Sequence, residues 1–212
     1  YPLSGEKHWQ GLQRHIGITG GIASGKSCVG RFLQLQGLTV LDADLYAHEA
    51  LTPASQATEA VLKRYGTRVE ALENNKTNDG RALRQIDRRA LGKIVFNNAN
   101  ERLWLEQLIH PIVRERFETE INQHTKTSAL VLMIPLLFEA GLQDLCTEIW
   151  VIYCSEKQQQ DRLMARNNLS TNEAKNRIQA QWPLEHKTLL ADHVIDNCGA
   201  PDSWQHQVSK LL

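Results

Sequence analysis

A glycine-rich stretch near the start of the chain constrains the fold more than any other feature. Residues 20–27 read GGIASGKS and fit G-x-x-x-x-G-K-[ST], a pattern whose loop binds phosphate between a strand and a helix. Residues 15–19 have the composition of a short strand, and Val29, Phe32 and Leu33 follow the loop at helical spacing. An ordinary glycine-rich turn that matches by chance would not need these flanks, so the pattern predicts a functional loop.

Each part of this phosphate-binding loop (the P-loop) has a physical role. Glycine lets the main chain turn tightly and approach a ligand closely, while main-chain N–H groups and the positive end of the following helix attract an anion. We expect Lys26 to reach the β- and γ-phosphates of a nucleotide, and the Ser27 hydroxyl to bind Mg²⁺. The loop residues predicted to bind the nucleotide are Gly21, Ile22, Ala23, Ser24, Gly25, Lys26, Ser27 and Cys28.

Composition favours a globular protein with neither a nucleic-acid nor a membrane partner. The 24 basic residues balance the 24 acidic ones among 212 residues, and a neutral chain lacks the charge that such partners attract. The longest apolar run, 129–138, is too short to span a bilayer, and residues 1–14 lack the apolar core of a signal peptide. The four cysteines lack the spacing of a metal site, so we expect reduced thiols, a cytoplasmic location and a packing role for Cys28.

Two carboxylates follow the second predicted strand, residues 38–41. In an open α/β sheet the carboxyl ends of the strands face the ligand, so Asp42 and Asp44 are candidates to contact substrate. If the chain stays extended here, side chains two residues apart project to the same side. The alternative is that one of the two carboxylates only caps a helix over 45–51.

Residues 52–127 change in character from strand-like to polar and helical. The basic residues near the middle of this segment form either a solvated helix face or a grip on an anionic substrate, and both interpretations stay open. These residues are Arg81, Arg84, Arg88, Arg89 and Lys93.

An apolar stripe after this basic run is interrupted by a proline. Because proline suits the first turn of a helix and not its middle, we predict one helix that ends near Ile109 and a second that starts at Pro111. Arg114 would then lie one turn into the second helix. His110, at the break, is either structural or a substrate contact.

The rest of the chain predicts three more strands and a basic helical pair. The strands are expected at 129–134, 149–153 and 193–195, and the first of them ends without the aspartate that many P-loop enzymes carry there. Between the last two strands, Arg162 and Arg166 lie four apart on one helix face, where guanidinium groups suit phosphoryl oxygens. A solvated helical hairpin is the competing interpretation, most of all for Lys175. A last helix is expected over about 202–211.

The alternation of strands and helices predicts an α/β fold with three layers around a parallel five-stranded sheet. The predicted nucleotide-binding core consists of residues 15–51, 128–159 and 190–212. A helical substrate-binding insert is expected at 52–127, a lid at 160–189 and an N-terminal extension at 1–14.

Five motifs, in this order and at these intervals, resemble those of dephospho-CoA kinases over about residues 16–208. They are GGIASGKS at 20–27, DAD at 42–44, LIHP at 108–111, PLLFE at 135–139 and VIDN at 194–197. The P-loop alone occurs in many families, whereas the combination is specific. The chain departs from the family pattern at Cys28, where threonine is usual, and the stretch 74–84 is slightly longer than usual.

The resemblance implies a kinase that transfers the γ-phosphoryl group of ATP to the ribose 3′-hydroxyl of dephospho-CoA. It makes Asp44 the general base and Arg162 the lid residue that neutralises charge on the transferring group, with Arg166 assisting. Mg²⁺ would rest on Ser27, the phosphates and water. A monomer or a weak homo-oligomer is expected. The implied contacts are Asp42, Asp44, Arg88, His110 and Arg114 for dephospho-CoA, and Asn197 and Gly199 for the adenine of ATP.

Two other classes stay open at this point. A P-loop kinase for another small alcohol or nucleotide would have the same fold and phosphoryl donor. A nucleotide-dependent switch would need an N-K-x-D motif to read guanine, but residues 75–78 miss it by one position and lie in the helical insert. The D-x-x-G match at 196–199 stands at the wrong end of the chain for such a switch.

Overall fold

The computed structural model describes residues 13–71 and 84–212. Three features singled out from the sequence lie outside these ranges in whole or in large part: Arg81, the stretch 74–84 with its near match to the guanine motif, and the predicted N-terminal extension. The strands and helices below belong to the described residues.

Five parallel strands form one sheet, as the sequence predicts. They are β1 (Arg14–Gly20), β2 (Thr39–Asp42), β3 (Ala129–Met133), β4 (Glu148–Tyr153) and β5 (His193–Asp196). Their order across the sheet is β2-β3-β1-β4-β5, so the strand that leads into the P-loop is central. Ile16 pairs with Val131 on one side, and Ile18 with Trp150 on the other. Each predicted strand is confirmed, and each strand end differs from the prediction by at most one residue.

The parallel arrangement brings the ends of separate strands to one edge of the sheet. The P-loop follows β1, Asp42 ends β2, and Asn197 follows β5. Parallel strands carry their carboxyl ends at the same edge, which is where open α/β sheets bind ligands. Sequence segments more than 150 residues apart therefore meet there, since the Asn197 amide hydrogen-bonds to Ser24 across 173 residues.

The described residues also contain nine α-helices. They are α1 (Lys26–Leu35), α2 (Ala43–Ala50), α3 (Gln56–Tyr65), α4 (Arg88–Asn97), α5 (Ala99–Gln123), α6 (Glu156–Asn167), α7 (Thr171–Gln179), α8 (Leu184–Leu189) and α9 (Trp204–Ser209). Within those same ranges, no helix has the length and apolar character that a membrane span requires.

The end of α1 shows how local chemistry sets a boundary. Gly37 has a left-handed backbone with φ of 89°, which glycine adopts without strain. The N–H of Leu38 donates to the carbonyl of Leu33 at 3.1 Å, and the N–H of Gly37 to that of Gln34 at 3.0 Å. This paired closure is the usual glycine-dependent end of a helix.

The chain forms two compact units. Among the described residues, one unit contains 13–43 and 119–212, and the other contains 44–71 and 84–118. The first unit is built around the sheet and α1, whose buried side chains include Ile16, Ile18, Val29, Leu33, Val131, Trp150 and Ile152. The second unit has its own buried cluster of Val61, Leu62, Tyr65, Val69, Ile86, Leu91 and Val95. The division into a nucleotide-binding core, a helical insert and a lid, with the bounds given above, stays a prediction.

The predicted helix break at Ile109 and Pro111 is wrong. Helix α5 continues through Pro111 for 25 residues. Its buried side chains, Ile109, Val113, Phe117 and Ile121, repeat every four residues across the proline. Burial of a continuous apolar face outweighs the cost of a proline inside the helix, about 3 kcal/mol for the lost hydrogen bond and the clash of its ring with the preceding turn.

The geometry expected for the two aspartates is also wrong in one respect. Asp42 is the last residue of β2, but Asp44 lies in the first turn of α2, which begins at Ala43. The two carboxylates therefore do not project from one extended segment, and the two-residue alternation of a strand does not apply to them. An acidic residue in the first turn of a helix is favourable because it faces the positive end of the helix dipole.

Candidate functional site

The P-loop has a backbone that only glycine fits at two positions. Gly20 and Gly25 have φ values of 148° and 107°. A methyl group on Gly20 would come within 2.5 Å of the Ile152 carbonyl oxygen, and one on Gly25 would clash with the Asn197 amide. Glycine avoids both the backbone strain and these contacts. The spacing of the motif therefore follows from how closely the loop packs against β4 and the segment after β5.

The loop presents unpaired donors to a ligand. Among the described residues, no acceptor is paired with the main-chain N–H groups of Ala23, Gly25 or Ser27. Two of these groups precede or begin α1, so the positive end of that helix reinforces them. The Ser24 side chain is fully buried, and its hydroxyl oxygen has no hydrogen-bond partner in the part of the chain that the structure describes. This arrangement suits an anion with several oxygen atoms.

Lys26 curls back over the loop that precedes it. Its ammonium group donates to the carbonyls of Gly20 at 3.1 Å and Gly21 at 2.8 Å. A flexible four-carbon stem lets such a group exchange carbonyl oxygens for phosphate oxygens. Ser27 is exposed at the start of α1, and Cys28 next to it is exposed as well. The predicted packing role of Cys28 is therefore wrong, because the apolar stripe of α1 begins one residue later, at Val29.

Asn197 joins two other predicted site residues to the P-loop. The side-chain amide of Asn197 donates to the Ser24 carbonyl at 2.8 Å, and the main-chain carbonyl of Asn197 accepts from the Arg162 guanidinium at 3.0 Å. A second hydrogen bond holds the same loop one residue later, where the Gln158 side chain donates to the main-chain carbonyl of Cys198 at 2.9 Å. Gly199 is exposed in this same loop. The structure thus brings Arg162, Asn197 and the P-loop together from three separate segments.

Arg166 stands apart from this cluster. It is exposed near the end of α6 and donates to the side chain of its neighbour Asn167 at 2.9 Å. Ser155 caps the start of α6 with a capping box, in which Gln158 and the serine satisfy each other's main-chain N–H groups. The two arginines share the helix as predicted, but only Arg162 has a contact at the site.

The predicted substrate residues of the second unit have structural contacts of their own. Arg88 begins α4 and donates to the carbonyls of His48 at 2.9 Å and Leu51 at 3.3 Å, which closes the end of α2. Partial burial lowers the pKa of Arg88 from its usual value, but a guanidinium titrates far above neutral pH and stays charged. Arg114 pairs with Glu118 at 2.9 Å on α5.

The other candidates of this unit are placed on its helices. His110 is half-buried within α5, and Asp44 is exposed in the first turn of α2. Arg84, one of the basic residues singled out above, pairs with Glu70 at 2.9 Å and so belongs to an exposed ion pair. The contribution of Asp44, Arg88, His110 and Arg114 to substrate binding stays a prediction.

Two glutamines at the P-loop were missed from the sequence. Gln159 of α6 donates to the carbonyl of Ile22 at 2.9 Å, and Gln181, just beyond α7, accepts from the N–H of Ile22 at 2.8 Å. Glutamine has no diagnostic spacing, and the two lie 137 and 159 residues from Ile22. The position of Gln159, three residues before Arg162 on a helix, was the one available signal.

A buried ion pair beside β3 was missed as well. The Lys187 side chain is completely buried and lies 2.7 Å from a carboxylate oxygen of Glu139, the last residue of the PLLFE motif. The same ammonium group donates to the Pro135 carbonyl at 3.1 Å. Burial lowers the pKa of Lys187, and the facing carboxylate partly offsets this. Sequence reasoning assigned no role to Lys187, since a single lysine in a polar helix resembles a solvated one.

The fold and the site together define a class of protein. A parallel sheet whose central strand leads through a P-loop into a helix, with Lys26 on the loop, is the structure of a P-loop nucleotide-binding protein.

Comparison with known proteins gives the family. A family profile described as dephospho-CoA kinase matches residues 14–202. The chain is 58% identical to a dephospho-CoA kinase of Synechococcus sp. (strain CC9605), over 94% of this chain and 92% of that one. It is 52% identical to the enzyme of the same name from Prochlorococcus marinus (strain MIT 9313), over 97% and 98% of the two chains.

A solved structure agrees with these relatives. The dephospho-CoA kinase from Campylobacter jejuni superposes with a TM-score of 0.61 at 29% identity, over 93% of this chain and 94% of that one. The chain belongs to the dephospho-CoA kinase family, and it is therefore a kinase with ATP as co-substrate.

Proposed function

We propose that this protein transfers the γ-phosphoryl group of ATP to the 3′-hydroxyl of the ribose in dephospho-CoA, with CoA and ADP as products. The observation that carries the proposal is the P-loop itself. Its open N–H groups at the start of α1 and the Lys26 ammonium group beside them suit a triphosphate. The relatives named above make dephospho-CoA the acceptor to test first.

In this proposal the main chain and Lys26 hold the β- and γ-phosphates. The N–H groups of Ala23, Gly25 and Ser27 donate to phosphate oxygens, and Lys26 releases the carbonyls of Gly20 and Gly21 as it turns to the ligand. Phosphoryl transfer depends mainly on positioning and on neutralising charge, so these fixed donors supply much of the catalysis. The loop around Asn197 and Gly199 borders the adenine.

A magnesium ion fits the donors at this loop. The Ser27 hydroxyl is exposed at the first turn of α1, where it can act as a hard oxygen ligand. Within the described residues, no group of three or more acidic, histidine or cysteine side chains could hold a metal ion. In this proposal Ser27, phosphate oxygens and water supply the ligands. When bound, Mg²⁺ neutralises part of the phosphate charge.

Asp44 acts as the general base in the proposed reaction. A ribose hydroxyl must lose its proton as it attacks phosphorus, and an exposed carboxylate in the first turn of α2 is able to accept it. Asp44→Asn removes this base, so turnover should fall by about 10²- to 10⁴-fold while ATP affinity stays unchanged. Turnover is measured by coupled ADP release and ATP affinity by titration.

Glu49→Gln serves as the matched control, since Glu49 is exposed on the same helix and forms a surface ion pair with Arg116. Near-normal turnover of Asp44→Asn would remove Asp44 from the mechanism.

Arg162 neutralises charge on the transferring group, and Arg166 assists from the same helix. Arg162 already lies beside the P-loop through Asn197, and a planar guanidinium donates two parallel hydrogen bonds to phosphoryl oxygens. Arg162→Ala should lower kcat more than it lowers ATP affinity. The reverse pattern would make Arg162 a binding residue only.

The acceptor is gripped by Asp42, Arg88, His110 and Arg114 in this proposal. One assay tests it: purified protein with Mg-ATP and dephospho-CoA, run beside adenosine, shikimate, uridine and AMP. We expect phosphorylation of dephospho-CoA alone, and a preference for any other acceptor would refute the assignment.

The protein is proposed to work in the cytoplasm as a monomer or a weak homo-oligomer, independent of nucleic acid and membrane.

A further inference from the structure

Both main-chain polar groups of Ile22 are held by side chains from distant segments. The Ile22 N–H donates to the Oε1 atom of Gln181 at 2.8 Å, and the Ile22 carbonyl accepts from the Nε2 atom of Gln159 at 2.9 Å. The two glutamines thus act on one residue of the P-loop with opposite polarity: one supplies an acceptor and the other a donor.

The two contacts differ in how deeply they are buried. Gln159 is 3% exposed, and it packs so closely against the loop that a methyl group on Gly21 would clash with its amide. Gln181 is half-buried. A buried donor that loses its acceptor, or the reverse, carries the full desolvation penalty of that group. Both glutamines therefore favour one orientation of the Ile22 backbone.

Gln181 is itself presented by an anchored segment. The N–H of the next residue, Trp182, donates to a Glu139 carboxylate oxygen at 3.0 Å, and that oxygen lies 2.7 Å from the Lys187 ammonium group. The Trp182 ring stacks against His186, with ring centroids 5.0 Å apart and planes inclined by 10°. The contacts of Trp182 therefore fix the position of Gln181, whose Oε1 atom accepts from the Ile22 N–H.

We propose that Gln159 and Gln181 are positioning residues for the P-loop. They turn the Ile22 backbone so that its own N–H is occupied, while the N–H groups of Ala23, Gly25 and Ser27 stay directed at the phosphates. The inference rests on the proposed function of that loop in ATP binding. Neither glutamine touches ATP in this proposal; each acts through Ile22.

The polarity of the two contacts makes a sharp test. Glutamate keeps the acceptor that Gln181 supplies but lacks the donor that Gln159 supplies. Gln181→Glu and Gln159→Glu place the same negative charge beside the same residue, so general repulsion of ATP affects both. We expect the Kd for a fluorescent ATP analogue to be about 10-fold or more higher in Gln159→Glu than in Gln181→Glu, the usual range for a lost buried hydrogen bond.

Uncharged variants give the second arm of the experiment. Gln159→Met and Gln181→Met remove donor and acceptor respectively, and each should weaken binding of the analogue by about 5- to 100-fold. Gln179→Met, an exposed glutamine at the end of α7, is the matched control and should bind normally. Gln181 lies near the surface, so its variants keep the test open if a Gln159 variant fails to fold.

The readout separates this inference from the acceptor assignment. Binding of the analogue is measured without dephospho-CoA, so a different acceptor would leave these expectations unchanged. In the full reaction the variants should raise the KM for ATP and leave the KM for dephospho-CoA within about twofold, as expected when only the ATP site is disturbed. Equal Kd values for the two glutamate variants, or normal binding by both methionine variants, would overturn the proposal.

Discussion

Lys187→Met should destabilise the protein far more than the loss of an ordinary lysine. The substitution keeps the length of the side chain but removes a fully buried ammonium group from beside Glu139. The Pro135 carbonyl still accepts from the Thr19 hydroxyl at 3.1 Å, and Glu139 still accepts from the Trp182 N–H. The main loss is therefore electrostatic, because the negative charge of Glu139 is no longer compensated.

The expected magnitude follows from the burial of that carboxylate. The Glu139 side chain is 14% exposed, and within the described residues its second oxygen atom is buried without a hydrogen-bond partner. Breaking one side of a buried ion pair costs about 3–5 kcal/mol. At about 2–4 °C per kcal/mol for a chain of this size, Tm should fall by about 6–20 °C.

Urea unfolding followed by circular dichroism measures this free energy. Lys175→Met is the matched control, because Lys175 is exposed on α7 and its loss should change stability by less than about 0.5 kcal/mol. The double variant Lys187→Met/Glu139→Gln keeps an acceptor for Trp182 and removes the uncompensated charge, so it should regain much of the lost stability. A single variant no less stable than the control, or a double variant no better than the single one, would refute the reasoning.

Three further perturbations test other parts of the structure. Burial lowers the pKa of His15, so the unfolded chain takes up a proton first and stability should fall below about pH 6.5; His15→Gln should flatten this fall in urea midpoints between pH 7.5 and 5.5. Gly25→Ala should weaken ATP binding, because its methyl group displaces Asn197. Gly37→Ala introduces similar backbone strain but its methyl group meets open space, so it should lower stability and leave ATP binding unchanged. Calorimetric titration compares the ATP affinities of the two variants. Pro111→Ala should raise the unfolding free energy by up to about 3 kcal/mol, since it restores a helical N–H inside α5, and an unchanged urea midpoint would argue against this.

The sheet was predictable because its signals are local. Each strand is a short apolar run bounded by polar or turn residues, and the P-loop pattern requires both a strand before it and a helix after it. Arg162 was singled out by its position on a basic helix face, and Asn197 through the family resemblance; the structure brings both to the P-loop.

The remaining features depend on packing that no local pattern encodes. Pro111 lies in the middle of α5 despite a strong rule against mid-helix proline, because the buried face through Ile109 and Val113 keeps the helix continuous. Asp44 becomes helical because α2 starts directly at the end of β2. The contacts of Gln159 and Gln181 with Ile22 join residues far apart in the chain, so only the folded arrangement reveals them.

The hydrogen bond from Asn197 to Ser24 has a consequence for synthesis of the protein. It spans 173 residues, so the side chain that closes the loop is synthesised long after the motif itself. A nascent chain can pair β1 with β3 and β4 earlier, but the support behind Gly25 arrives only with β5. A nascent chain that lacks β5 therefore carries the P-loop motif without the Asn197 side chain that packs against it. We expect such a chain to bind nucleotide more weakly than one in which β5 has docked.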